Sequence, residues 1–366
     1  MASTNGSPEC RAREIPVGFT LAPRGVPDSP PSLEECFGLM NICIVGAGAI
    51  GGFLGTRLAA AGEGRVSALA RGATLAALRA HGWRLRQGGV LLTAPVVASD
   101  DARELGVQEL VVITLKAHAL PGLAPALTPL IGPGTVVLSA MNGVPWWFVH
   151  GRGGIGEAPL TSVDPGGHTA AALPDGQVLG GVVHAAASVT EPGLSEHRNA
   201  QGLILGEPAG GTSERSQRVG ERFTRAGFDV TVSSNIRHDI WYKLWGNLVV
   251  NPITALTGAS SDRMLADPLV RSLASSAMLE AAAIGERIGC RIEQSPEDRH
   301  TMTARLGPFR SSMLQDAAAG RTLELDAIVG AVRELGERTD TPTPHIDALL
   351  GLTRLYGRVH GLYPEA

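Results

Sequence analysis

A short apolar run, Asn41-Ile42-Cys43-Ile44-Val45, leads straight into Gly46-Ala47-Gly48-Ala49-Ile50-Gly51, and a second apolar run, Arg65–Ala70, follows the Ala/Leu-rich stretch Ala49–Ala61. Strand, glycine turn, helix and strand in that order leave few folds open. Gly46 permits a tight turn, Gly48 lets a pyrophosphate approach the backbone, and Gly51 allows close packing of helix on strand. The helix start adds free N–H groups and the positive end of its dipole, both suited to an anion. In a chain with 47 glycines among 366 residues, context decides whether such a pattern means anything. Gly151-Arg152-Gly153-Gly154-Ile155-Gly156 has the same spacing, but no βαβ unit frames it, and it is read as a chance match.

The alternation continues beyond the first unit. The pattern predicts a helix over Ala73–His81, buried parallel strands at Leu110–Leu115 and Thr135–Ser139, and later strands at Val182–Thr190, Leu203–Gly206 and Asp229–Val232. Glu214–Ala226 reads as an amphipathic helix between the last two. From about Asn235 the texture becomes helical, with helices expected at Ile240–Val250, Pro268–Ile288, Pro296–Ala319, Glu324–Thr339 and His345–Val359. The expected fold is therefore an α/β Rossmann domain over residues 40–234 followed by an all-α domain over 235–366. Residues 1–39, with Pro8, Pro16, Pro23, Pro27, Pro30 and Pro31 and no periodicity, read as a mobile N-terminal extension.

Composition excludes several classes. The net charge is −4 and no Lys/Arg block occurs, so neither nucleic acid nor an anionic membrane surface is an expected partner. No apolar run approaches the roughly 20 residues that span a bilayer. The four cysteines, Cys10, Cys36, Cys43 and Cys290, lie far apart without CxxC spacing, which gives neither a zinc site nor a disulfide framework. A cytoplasmic protein acting on a small molecule is expected, and a homodimer is compatible with the sequence.

Candidate chemistry concentrates at a few positions. Arg71 stands at the end of the second strand, where an NAD-binding unit normally carries a carboxylate for the ribose hydroxyls; a guanidinium there favours the 2′-phosphate of NADP(H). Lys116 and Asn142 each follow a central strand at its carboxyl end, where open α/β sheets bind ligands. Lys243, Asn247 and Asn251, at i, i+4 and i+8, place one polar stripe on an otherwise apolar helix, and Pro252 is expected to kink it at Asn251. A second polar cluster, Ser311–Asp316, precedes Gly320, after which Thr322 is expected to open a helix with Glu324 in its first turn. A Lys ammonium among apolar neighbours, with a lowered pKa, suits proton donation to an oxygen that gains charge during hydride transfer.

These residues carry a resemblance. GAGAIGG, ITLKA at 113–117, MNG at 141–143, Lys243-Leu with Asn247 and Asn251, SSMLQD at 311–316, and LELDAI ahead of TPTP at 341–344 are similar to the ketopantoate reductase (2-dehydropantoate 2-reductase) family. The resemblance implies an NADPH-dependent reductase of 2-dehydropantoate, acting in pantothenate and coenzyme A synthesis. It implies Lys243 as proton donor and Glu324 as the acid that positions substrate and lysine. Asn142, Asn247, Asn251 and Ser312 fall on substrate-contacting positions, and Arg71 and Lys116 on cofactor-side positions. It also implies a helical second domain like that of phosphogluconate dehydrogenases, with the active site between the domains. Phe309 and Ser261 depart from Asn residues of the family pattern, so an alternative is a paralogue reducing a bulkier 2-oxo acid. A non-catalytic NADP(H)-binding regulator is the alternative of another class.

Overall fold

The computed structural model describes residues 40–151 and 155–365. The expected mobile extension, and Arg152–Gly154 of the second glycine pattern, lie outside the described residues. Ten strands form one sheet: β1 Asn41–Val45, β2 Arg65–Leu69, β3 Trp83–Gln87, β4 Val90–Ala94, β5 Ala98–Ser99, β6 Leu110–Ile113, β7 Val136–Ser139, β8 Val178–Glu191, β9 Leu194–Gly206 and β10 Asp229–Ser233. Their order is β4-β3-β9-β8-β7-β6-β1-β2-β5, with β10 paired to β9. The run β5-β2-β1-β6-β7-β8 is parallel throughout, and chain order reverses direction between β1 and β6. That reversal is the switch point at which doubly wound sheets hold ligands. β6 and β7 are buried along their whole length, which is why their sequences are continuously apolar.

The β3–β4 hairpin is an insertion that the sequence reading did not place. Gly88 and Gly89 form its two-residue turn, both at positive φ, the geometry a type I′ hairpin requires. On the sheet pack α1 Ala49–Ala60, α2 Gly72–His81 and α3 Glu214–Arg225.

The helical part comprises α4 Ile236–Thr257, α5 Ser261–Ala266, α6 Pro268–Arg287, α7 Pro296–Arg305, α8 Ser312–Ala318, α9 Ala331–Arg338 and α10 Pro344–Val359. Three expectations are corrected here. The single helix expected over Pro296–Ala319 is two, because Gly307-Pro308 breaks it. The helix expected from Glu324 starts after it, through a π-helical turn over Asp326–Gly330. Pro252 does not end or divide α4, which runs on as helix to Thr257 and stops at Gly258 in the left-handed conformation. Burial holds α4 together: Trp241 and Trp245 are each 1% exposed, and the Trp245 indole donates to the Met278 carbonyl at 2.7 Å. No helix among the described residues is long and apolar enough to cross a membrane.

One apolar core joins the two parts. Trp146, Trp147 and Phe148, just beyond β7, are buried together with Ile240, Trp241 and Leu244 of α4. Val144 N–H donates to the Ala327 carbonyl at 2.8 Å, so the loop after β7 is bonded to the π-helical turn. The segments carrying candidate residues are thus held by packing on both sides of one cleft.

Candidate active site

At the carboxyl end of β1, Gly46 has φ +94° and turns the chain into α1. A Cβ on Gly51 would stand 2.1 Å from the Gly46 carbonyl and 2.5 Å from Thr114 Oγ1, so glycine is required for this closeness of helix to strand. A Cβ on Gly48 would meet nothing within 4 Å. Gly48 is the N-cap of α1; no side chain caps the helix and its first turn holds no acid. The N–H groups of Ala49, Ile50 and Gly51 are therefore left for an outside acceptor. Ala47 is buried in the turn. Arg71 is the N-cap of α2, directly beyond β2; its side chain is exposed and its guanidinium makes no hydrogen bond or ion pair with another described residue.

The loops after β6 and β7 meet the helical part. Lys116 Nζ donates to the Thr322 carbonyl at 3.0 Å and pairs with Asp316 Oδ2 at 2.7 Å. Asp316, buried, also accepts from Arg321 Nε at 2.9 Å. Glu324 Oε1 accepts from the Ala117 N–H at 3.0 Å. Glu324 thus stands ahead of its own helix and caps the short 3₁₀ turn Ala117–Ala119 across the cleft, which corrects the expectation that it sits in a first helical turn. Burial raises the pKa of its carboxyl and Asp316 adds to the rise, while the Ala117 N–H and the Lys116 and Lys243 cations oppose it.

Lys243 is the centre of the arrangement. Its Nζ donates to Asn142 Oδ1 and to the Val183 carbonyl of β8, each at 2.8 Å. An ammonium has three donors, so two are committed and one remains. Burial lowers its pKa from 10.5 to about 8, with the Glu324 charge pulling the other way. Densely surrounded as it is, Lys243 keeps partial solvent access. A small cavity opens beside it, lined by Met141, Asn142, Val182, Lys243 and Asn247.

The rest of the stripe behaves unequally. Asn247, one turn on, opens on this cavity. Asn251 is 3% exposed, lies within the continuous helix, and its Nδ2 has no hydrogen-bond partner. Such an orphaned buried donor is rare, and one explanation is a partner supplied from outside the chain. Ser312 is the first residue of α8 and is exposed. Its neighbour Ser311 is the buried one: Ser311 Oγ caps the Leu314 N–H at 3.0 Å and pairs with Thr254 Oγ1 of α4 at 2.7 Å. Ser261 and Phe309 prove to be direct partners. Ser261 N–H donates to the Phe309 carbonyl and Phe309 N–H to Ser261 Oγ, both at 3.0 Å. Ser261 is 1% exposed, so it anchors the 307–310 loop rather than facing the cleft.

Lys243, Asn142, Asn247 and Glu324 are thus gathered from three parts of the chain, while Arg71 and the glycine turn stand at the other strand ends. Asp316 and the Val183 carbonyl complete the network. A Ser-x-x-x-Asp pattern held the signal for the first; a backbone carbonyl leaves none.

Residues 42–210 match the family described as Ketopantoate reductase PanE/ApbA, and residues 235–357 match its C-terminal part. A 2-dehydropantoate 2-reductase of Mesorhizobium japonicum is 46% identical over 325 residues, covering 88% of this chain and all of that one. A crystal structure of a candidate ketopantoate reductase from Ralstonia solanacearum MolK2 superposes with a TM-score of 0.86 at 52% identity, covering 89% of this chain and all of that one. The 2-dehydropantoate 2-reductase of Methylococcus capsulatus gives a TM-score of 0.75 at 27% identity, with 88% and 98% covered. On sequence and fold together, the chain belongs to the ketopantoate reductase family.

Proposed function

We propose that this protein reduces 2-dehydropantoate to pantoate with NADPH, and that Lys243 donates the proton. The observation that carries the reading is the Lys243 ammonium: two donors fixed by Asn142 and Val183, the third free, and a pKa of about 8. An acid of that strength is protonated at neutral pH and gives up its proton far more readily than an ordinary lysine. The names of the similar proteins from M. japonicum and M. capsulatus support the substrate.

The chain fits the cofactor. The open space at Gly48 and the unpartnered N–H groups of Ala49–Gly51 would hold the pyrophosphate, and Arg71 the 2′-phosphate. When bound, NADPH supplies the hydride. Lys116 and Asn142 stand at the ends of β6 and β7, on the nicotinamide side of the switch point. Asn142 has a second task, since its carbonyl oxygen aims the Lys243 ammonium. Lys243 then releases its proton to the substrate oxygen as negative charge develops there. Glu324, tied to Ala117, keeps a carboxylate within electrostatic reach of Lys243 and can accept a substrate hydroxyl. Asn247, Asn251 and Ser312 supply neutral donors for the remaining polar groups; the orphaned Nδ2 of Asn251 is the one with most to gain.

A second reading keeps the reaction and changes the substrate. Phe309 packs against the core in the loop ahead of Ser312, which favours a bulkier 2-oxo acid. One experiment separates the readings: NADPH oxidation followed by absorbance with 2-dehydropantoate, 2-oxoisovalerate and larger 2-oxo acids. The highest kcat/KM with 2-dehydropantoate is expected. A higher value with a larger acid selects the second reading, and no turnover with any removes both in favour of a regulator.

A further inference from the structure

We propose that two copies of this chain associate through the outer face of α10, paired antiparallel about a two-fold axis. α10 is apolar on two opposite sides. Ile346, Leu349, Leu350, Thr353 and Gly357 face inward and are buried. Directly opposite lie Ala348, Leu352, Leu355 and Val359, all exposed, the last three by 57%, 61% and 73%. A helix apolar all round is normally covered all round, and a surface helix carries polar residues on its outer face.

The spacing of the outer stripe is 4-3-4, the repeat by which one helix seats against another. An antiparallel partner sets Leu352 against Leu355 and Ala348 against Val359, so the layers have even bulk and the helix dipoles oppose favourably. It also brings Asp347, near one end, towards Arg358 of the second copy near the other, where a parallel pairing would set like against like. The area agrees. Glu280 of α6 accepts from the His345 and Ile346 N–H groups, each at 3.0 Å, which seats α6 beside the start of α10. Leu269 and Leu279 of α6 are themselves 81% and 59% exposed. These five large side chains expose about 1,100 Å² across two copies, close to the ~1,200 Å² at which specific interfaces begin. Lone exposed leucines are ordinary, but a heptad stripe beside a second apolar helix calls for a partner of the same shape.

The link to the cleft is short. Beyond α10, Leu323 N–H donates to the Leu362 carbonyl at 2.9 Å and Tyr363 OH to Asp326 at 2.6 Å, so the helix supports the segment that carries Glu324.

Sedimentation of the full chain over a concentration series tests the proposal. The unmodified protein is expected near twice 38.0 kDa, and Leu352→Glu with Leu355→Glu near 38.0 kDa. A monomeric unmodified protein at about 100 µM, well above the Kd of specific dimers, overturns it, as does a doubly substituted protein that stays dimeric. Should that variant fail to fold, cross-linking decides: chains carrying Ala348→Cys mixed with chains carrying Val359→Cys should give at least a fivefold excess of disulfide-linked dimer over either alone. No excess overturns the pairing.

Discussion

Lys243 should set the upper limit of the pH profile. Its ammonium is lowered from 10.5 to about 8, a differential penalty of about 3 kcal/mol on the charged form. Only the protonated form can deliver a proton to the carbonyl oxygen. In the reduction direction kcat/KM should therefore be flat below about pH 8 and fall with unit slope above it. At pH 9 the loss is about tenfold, whereas a lysine of ordinary pKa would lose only about 3% there. The assay is the initial rate of NADPH oxidation at low 2-dehydropantoate, with cofactor binding measured separately at each pH. Glu324→Gln removes the charge that holds the proton on Lys243 and should move the break to lower pH. A profile flat to pH 10 would refute the reasoning, because no group with the environment of Lys243 would then be the acid. The sign carries into stability. The folded-state pKa lies below the ordinary value, so the penalty is fully present below about pH 8 and is relieved as pH rises towards 10.5.

Other outcomes follow from the same geometry. Gly48→Ala should leave the Tm of the free protein unchanged and weaken NADPH binding, because its Cβ faces open space that the pyrophosphate would fill; Gly51→Ala should lower the Tm, because its Cβ would stand 2.1 Å from a backbone oxygen. Thermal melts and cofactor titrations check both. Arg71→Asp should weaken NADPH by up to about 3 kcal/mol and narrow its advantage over NADH, read by titrating both cofactors. Asn251→Leu removes an unpartnered buried amide and should raise stability by about 1 kcal/mol in denaturant melts while raising KM.

The strands at the cleft were legible because burial on both faces leaves only apolar residues: β1, β6 and β7 differ little from their expected bounds. The β3–β4 hairpin carried its signal, Gly88-Gly89 between alternating runs, but sits where a plain βαβ unit has none. β5, at two residues, is too short for any period. In the helical part, long apolar helices were legible and their interruptions were not. Gly307-Pro308 ended α7, while Pro252 did not end α4, because burial of α4 outweighs the lost hydrogen bond. At the site, residue types at strand ends pointed to Arg71, Lys116 and Asn142 one by one. What they bond to was out of reach: Lys116 is 206 residues from Thr322, and Asn142 is 101 from Lys243. Such pairings depend on how two domains dock, and local pattern does not encode that.

The most direct test of the proposed chemistry is the turnover of Lys243→Ala with 2-dehydropantoate at saturating NADPH, with the Kd for NADPH measured on the same preparation. The expected result is a kcat lower by about 10²–10⁴ with the Kd changed less than about threefold, because the ammonium acts where oxygen charge develops and not where the pyrophosphate sits. Turnover at the unmodified rate would contradict the assignment of Lys243 as proton donor.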